Sequence, residues 1–188
     1  MPASKMASAA ESPRLRGTGS IGRRRWAQIP RALILNGFWL VIPILLWNLL
    51  FTLPGKYSPM TFWSQIPPLI TYGETISRMA IILFPLLLSV GLRRRSQRVG
   101  LAIYLVGLAA YAGSWVGLIF FPESIWSTSL IGFLAPTYTP LLWAIGIGLV
   151  GDRLHWQSPY RPWIYIAIAL IFTVFHVSHT LIVFSRGA

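Results

Sequence analysis

The stretch that most constrains this chain is Pro162 to Phe184, PWIYIAIALIFTVFHVSHTLIVF, 23 residues without Lys, Arg, Asp or Glu. As a helix rising about 1.5 Å per residue it reaches roughly 34 Å, enough to cross a hydrocarbon core of about 30 Å. Charged residues make up only 11% of the 188-residue chain, against about 25% in a typical soluble domain. The four acids are Glu11, Glu74, Glu123 and Asp152. Such a surface is too poor in charge for water, and the remaining long apolar runs point the same way. The sequence therefore reads as an all-α integral membrane protein.

The net charge of +12 raises nucleic acid as a partner. The distribution argues against it, because the basic residues cluster beside apolar runs. There they orient a membrane protein and meet anionic lipid at the inner face. Cysteine is absent, which removes disulfides, thiolate catalysis and Cys-held zinc or iron–sulfur clusters from consideration.

Residues 1–31 are rich in Ala, Ser, Gly and Arg and offer no apolar face, as expected of a disordered basic cytoplasmic tail. An organelle transit peptide and a twin-arginine signal at Arg23-Arg24-Arg25 are the competing readings. Residues 32–186 read as one domain of five transmembrane helices, with spans about 32–53, 72–92, 99–121, 130–151 and 162–184. The first carries Asn36, Asn48 and Pro43. Pro54 to Ile70, with Tyr57, Phe62 and Trp63, suits a segment lying at the interface, where aromatic rings settle at headgroup depth. Thr71-Tyr72-Gly73-Glu74 has the T-x-x-E form of a capping box and would open the second span. Glu74 and Arg78 stand four apart, acid first, the better order for a helical ion pair.

Ala109, Gly113 and Gly117 place small residues on one face of the third span, which is expected to be central. Ala144 and Gly148 do the same on the fourth. Either face could meet another membrane subunit, since packing drives association in lipid. Pro136 and Pro140 break the fourth span. Thr139 as N-cap with Pro140 at the first helical position would start a helix there, leaving the preceding segment as a separate half-helix.

With an inner N-terminus, all basic residues except Lys56, Arg78 and Arg186 fall on the inner side. The positive-inside rule then predicts a cell-membrane protein with its N-terminus in the cytoplasm and its C-terminus outside. Depth along each helix places Asn48, Arg78, Ser114, Tyr138, His176 and His179 in one outer polar layer. Thr173, His176, His179 and Thr180 share a helix face, and a polar stripe in lipid should turn inward.

These residues suggest an outward-facing polar pocket. His176 and His179, with Tyr138 and Arg78, would hold a divalent metal, a tetrapyrrole or another small ligand. For a metal the set is short, and Glu74 or Glu123 completes it only if an outer loop folds back. A subunit or accessory factor with such a pocket is the leading expectation. The alternative is a proton-coupled or anion transporter using the same layer, against which stands the apparent lack of any acid deep in a span. No nucleophile motif or paired carboxylates occur, so an enzyme is the least supported class. The bland alternative is that the histidines only join helices and Arg78 only snorkels.

Overall fold

The computed structural model describes residues 35–52, 64–156 and 158–187. The 1–31 tail and the aromatic residues Tyr57, Phe62 and Trp63 of the expected interfacial segment lie outside the described residues. The chain is mostly helical. A 3-10 turn, Gly37–Leu40, leads into α1 (Ile42–Thr52). Then come α2 (Pro68–Leu83), a 3-10 turn (Phe84–Leu87), β1 (Leu88–Val90), α3 (Arg95–Phe120), the single-turn α4 (Ile125–Thr128), α5 (Leu130–Tyr138), α6 (Pro140–Val150), β2 (Gly151–Leu154) and α7 (Pro162–Gly187).

Four of these segments are long and apolar enough to cross a membrane: Pro68–Leu87, Arg95–Phe120, Leu130–Val150 and Pro162–Arg186. The apolar helical stretch Gly37–Leu50 is shorter than these four. Large apolar side chains stand exposed along them, among them Leu69, Ile76, Val106, Ile131 and Val174, as on a surface solvated by lipid.

Several local expectations are corrected. The capping box at Thr71 does not form, because the helix begins four residues earlier. Pro68 fits the first helical position, where its missing N–H costs nothing. The Thr71 hydroxyl bonds back to the Pro67 carbonyl at 3.4 Å. The segment ends at Leu87, not Leu92: Pro85 tightens the last turn into 3-10 form, and Leu88–Val90 then turns extended. Arg94 and Gln97 cap α3, with the Gln97 Oε1 accepting from the Arg94 N–H at 3.0 Å, so part of the basic run is already helical.

The fourth span divides as expected: α5 ends at Tyr138, Thr139 is the N-cap and Pro140 opens α6. Thr139 keeps helical angles (φ −60°, ψ −28°), so the two helices follow one another directly. Two hydroxyls bond back to their own helix here, Thr137 Oγ1 donating to Leu134 O and Thr139 Oγ1 to Ala135 O, both at 2.7 Å, the latter carbonyl also accepting from the Thr139 N–H at 3.1 Å.

A small antiparallel sheet, not anticipated in an all-α reading, pairs β1 with β2, Leu88 opposite Leu154 and Ser89 opposite Arg153. Asn36 extends it through a bridge to Ser89, and Val90 N–H donates to Leu35 O at 2.7 Å. The sheet marks one end of the bundle. At the other end Arg186 donates to Ser64 O (2.6 Å) and Gln65 O (2.5 Å). Gln65 has φ 57°, the left-handed region that non-glycine residues rarely occupy.

The core lies between α3, α6, α2 and α7, around Tyr104, Tyr111, Trp143, Ile147, Tyr165 and Phe172. Two glycines set the α3–α6 distance. A Cβ on Gly107 would sit 2.4 Å from Trp143 N, and one on Gly146 would sit 2.4 Å from Tyr104 N. The third span is thus central, but through Gly107 and not through the small-residue face. Ala109 and Gly113 are exposed, and a Cβ on Gly113 would meet nothing within 4 Å. Ala144 is fully buried, and Gly148 faces Ile166 and Tyr165 of α7.

Candidate functional site

The site is the seam between α2 and α7. Gly73 lets the two helices close on each other, since a Cβ there would lie 2.4 Å from the Phe175 ring. The next residue, Glu74, therefore reaches across. Its side chain has no exposure at all. His176 Nδ1 lies 2.9 Å from Glu74 Oε1 and His179 Nδ1 lies 2.5 Å from Oε2. Arg78, one turn further along α2, pairs with Oε1 as well. Beside the guanidinium the carboxylate is ionised and only accepts, so each Nδ1 carries its ring proton. This fixes both tautomers and leaves Nε2 of each ring as the nitrogen that faces away from Glu74.

Phe172 supports two members of the group. Its ring stacks on His176 at 5.0 Å between centroids, and the Arg78 guanidinium carbon sits 5.9 Å from its centroid. The members differ in access. Glu74 and His179 are shut, at 0% side-chain exposure each, while His176 is 18% and Arg78 36% exposed. Nearby hydroxyls close on helix carbonyls: Ser77 Oγ donates to Gly73 O at 2.6 Å and Thr180 Oγ1 to His176 O at 3.1 Å.

Of the outer polar layer expected from helix depth, Arg78, His176 and His179 come together. Asn48 accepts from the Tyr111 hydroxyl, which approaches from α3. Ser114 Oγ bonds its own helix at Tyr111 O, 2.7 Å. The Tyr138 hydroxyl donates to Ile131 O at 3.3 Å on α5 and is exposed. Glu74 is the member the capping-box pattern misplaces. Pro67-Pro68 carries the signal that finds it: a helix opening at Pro68 puts Glu74 in the second turn, facing inward with Ser77 and Ile81.

Among the described residues no group of three or more His, Asp or Glu is placed to hold a metal ion. The acid stands between the imidazoles as their hydrogen-bond acceptor, so the three do not converge on one point. His155 sits apart at the sheet end, its Nε2 2.8 Å from Asn36 Nδ2. No family model, curated protein or solved structure matches this chain.

Proposed function

We propose that this chain is a small multi-pass membrane protein that exchanges protons at the Glu74–His176–His179–Arg78 cluster, as a proton-coupled transporter does. One observation carries the reading: a fully buried carboxylate accepts from Nδ1 of two histidines on the facing helix. Imidazole changes charge near neutral pH, and ionisable groups inside membrane helices pair with one another and mark ion pathways and proton relays. Glu74, seven residues into α2, is the deep acid whose apparent lack weighs against transport in the sequence.

The surrounding architecture is proposed as five spans in the cell membrane, with residues 32–53 completing the short Gly37–Leu50 helix. The N-terminus is cytoplasmic and the C-terminus outside. The arginines of the sheet end then meet anionic lipid, and the cluster lies toward the outer face. Of the Ala109/Gly113/Gly117 face, the exposed Ala109 and Gly113 are available to a neighbouring subunit, since Gly117 lies against Trp126 and Ala144 and Gly148 are used within the chain.

A second reading keeps a ligand-binding subunit. A carboxylate on Nδ1 is how metal- and haem-ligating histidines are oriented, and His176 Nε2 has no hydrogen-bond partner among the described residues. Purified protein in liposomes loaded with a pH-sensitive dye, under a potassium diffusion potential, separates the two. Proton exchange predicts flux that falls at least about tenfold in Glu74→Gln. Equal flux in wild type and Glu74→Gln overturns it. A Soret band or stoichiometric metal in colour and elemental analysis supports the ligand reading.

A further inference from the structure

We infer that Tyr165 is a positioning residue for proton exchange: its hydroxyl pins α2 in the register that brings both oxygens of Glu74 onto the two imidazoles. This deepens the proton-exchange reading and rests on it. α2 carries a gap in its own backbone pairing. Pro85 has no N–H, so it cannot donate to the carbonyl four residues back, that of Ile81. The ordinary helical pattern holds up to that point, with Phe84 N–H donating to Ala80 O. The Tyr165 hydroxyl reaches over from α7 and donates to Ile81 O at 2.8 Å instead. Tyr165 is 0% and Ile81 2% exposed. A bare carbonyl there would have no water to turn to, which is unfavourable in lipid. The bond is therefore a fixed point, and α2 cannot slide along α7 without losing it.

The seam needs such a point. On α7, Tyr165, Ala169, Phe172, His176 and His179 follow one another at steps of four, three, four and three. On α2, Glu74, Ser77, Ile81 and Pro85 step by three, four and four. Apolar side chains at such spacing can pack in more than one register, and polar contacts select among them. Ile81 lies two helical turns from Glu74 on the same buried face. A slip of about 1 Å leaves an apolar contact standing but takes a hydrogen bond out of range. Glu74 has to meet two rings with two different oxygens, so it tolerates slippage least.

Tyr160 supplies the contrast. Its ring lies 6.3 Å from that of Phe84 between centroids, and the Tyr165 ring lies 5.7 Å from the same ring. Tyr160 is buried too, but its hydroxyl has no partner among the described residues. The two phenols share a neighbour, and one of them makes the bond.

The test uses the full chain with 15N-labelled histidine in detergent, together with the liposome flux assay. The chain has three histidines, so the Nδ1–H signals of His176 and His179 are assigned by replacing each with Gln. Tyr165→Phe is expected to remove or broaden at least one of these signals. Its flux should fall at least about tenfold, as misplacement of a reacting group does. Tyr160→Phe is expected to change neither. Pro85→Ala returns an N–H to Ile81 O, so Tyr165→Phe combined with Pro85→Ala should regain both signals and most of the flux. General loss of packing would not be cured in this way.

A lower melting temperature in Tyr165→Phe with signals and flux as in wild type overturns the inference. So does an equal loss with and without Pro85. Should Tyr165→Phe fail to fold alone, the double variant decides: folded with both signals it supports the pin, and unfolded it refutes it. Wild-type flux with signals indifferent to Tyr165 keeps proton exchange and removes the positioning role. No wild-type flux, with the signals lost and regained as described, removes proton exchange and leaves Tyr165 as the residue that sets the cluster.

Discussion

At the residue scale, Glu74 is held by donors from two helices, and each donor is fitted to it. Removing the acid leaves a guanidinium and two ring N–H groups facing one another in an apolar seam. Glu74→Ala is therefore expected to destabilise the protein by about 3–5 kcal/mol, the range for breaking a buried ion pair by deleting one partner. Glu74→Gln should cost less, because its amide oxygen still accepts from one ring. Thermal unfolding in detergent checks the order.

Tyr160 presents the opposite case. It is buried, its hydroxyl has no partner, and its ring packs against Phe84 and Gly151. Tyr160→Phe should leave stability unchanged or raise it by about 1 kcal/mol, since it deletes an unsatisfied buried group. Burial also pushes the Tyr160 phenol up. A group raised in the folded state contributes stability below its unfolded value of about 10, and that contribution is lost as pH rises past it. Tyr160→Phe should accordingly flatten the fall in melting temperature seen at alkaline pH.

At the element scale, the helices meet where glycine removes a side chain. Gly107→Val or Gly146→Val would drive a side chain into backbone atoms 2.4 Å away and should prevent a folded, monodisperse protein on size exclusion. Gly113→Ala should be tolerated and gain up to about 1 kcal/mol of helix propensity, there being open space at that Cβ. Small residues were legible in the sequence, but which of them pack was not. The i, i+4 spacing of Ala109, Gly113 and Gly117 is as regular as any contact face, and only the position of α6 tells Gly107 apart. The T-x-x-E pattern at Thr71 was likewise readable in two ways. Pro68, a residue suited to a first turn, settled it and carried Glu74 inward. The break at Pro136 and Pro140 was visible, and a helix does start at Pro140; the helical angles at Thr139, which let the two halves run on directly, are set by packing that spacing does not encode. The β1–β2 sheet escaped notice because its strands are three and four residues long and lie 60 residues apart.

At the scale of the whole molecule, apolar run length and the placement of arginines were the strongest signals, because lipid tolerates few alternatives to a helix. Four spanning segments follow from length and hydropathy alone, and the structure orders their ends. Ser96 belongs to the sheet end, whereas Glu123 and Ser185 belong to the opposite end. The chain has no native cysteine, so single substitutions give clean labels. In cells, Glu123→Cys and Ser185→Cys should react with an impermeant maleimide and Ser96→Cys only after permeabilisation. All three reacting from one face would overturn the proposed orientation.

The β1–β2 ladder, reinforced by Gly91 N–H to Val150 O at 3.1 Å, fastens the connection after Pro68–Leu87 to the connection after Leu130–Val150 like the rivet of a pair of tongs. At the far tips the grip includes Arg186 on two carbonyls and the Phe133–Phe184 ring contact. Glu74 lies on the jaw side of that joint, so its bonds to His176 and His179 are what hold α2 to α7 away from the rivet.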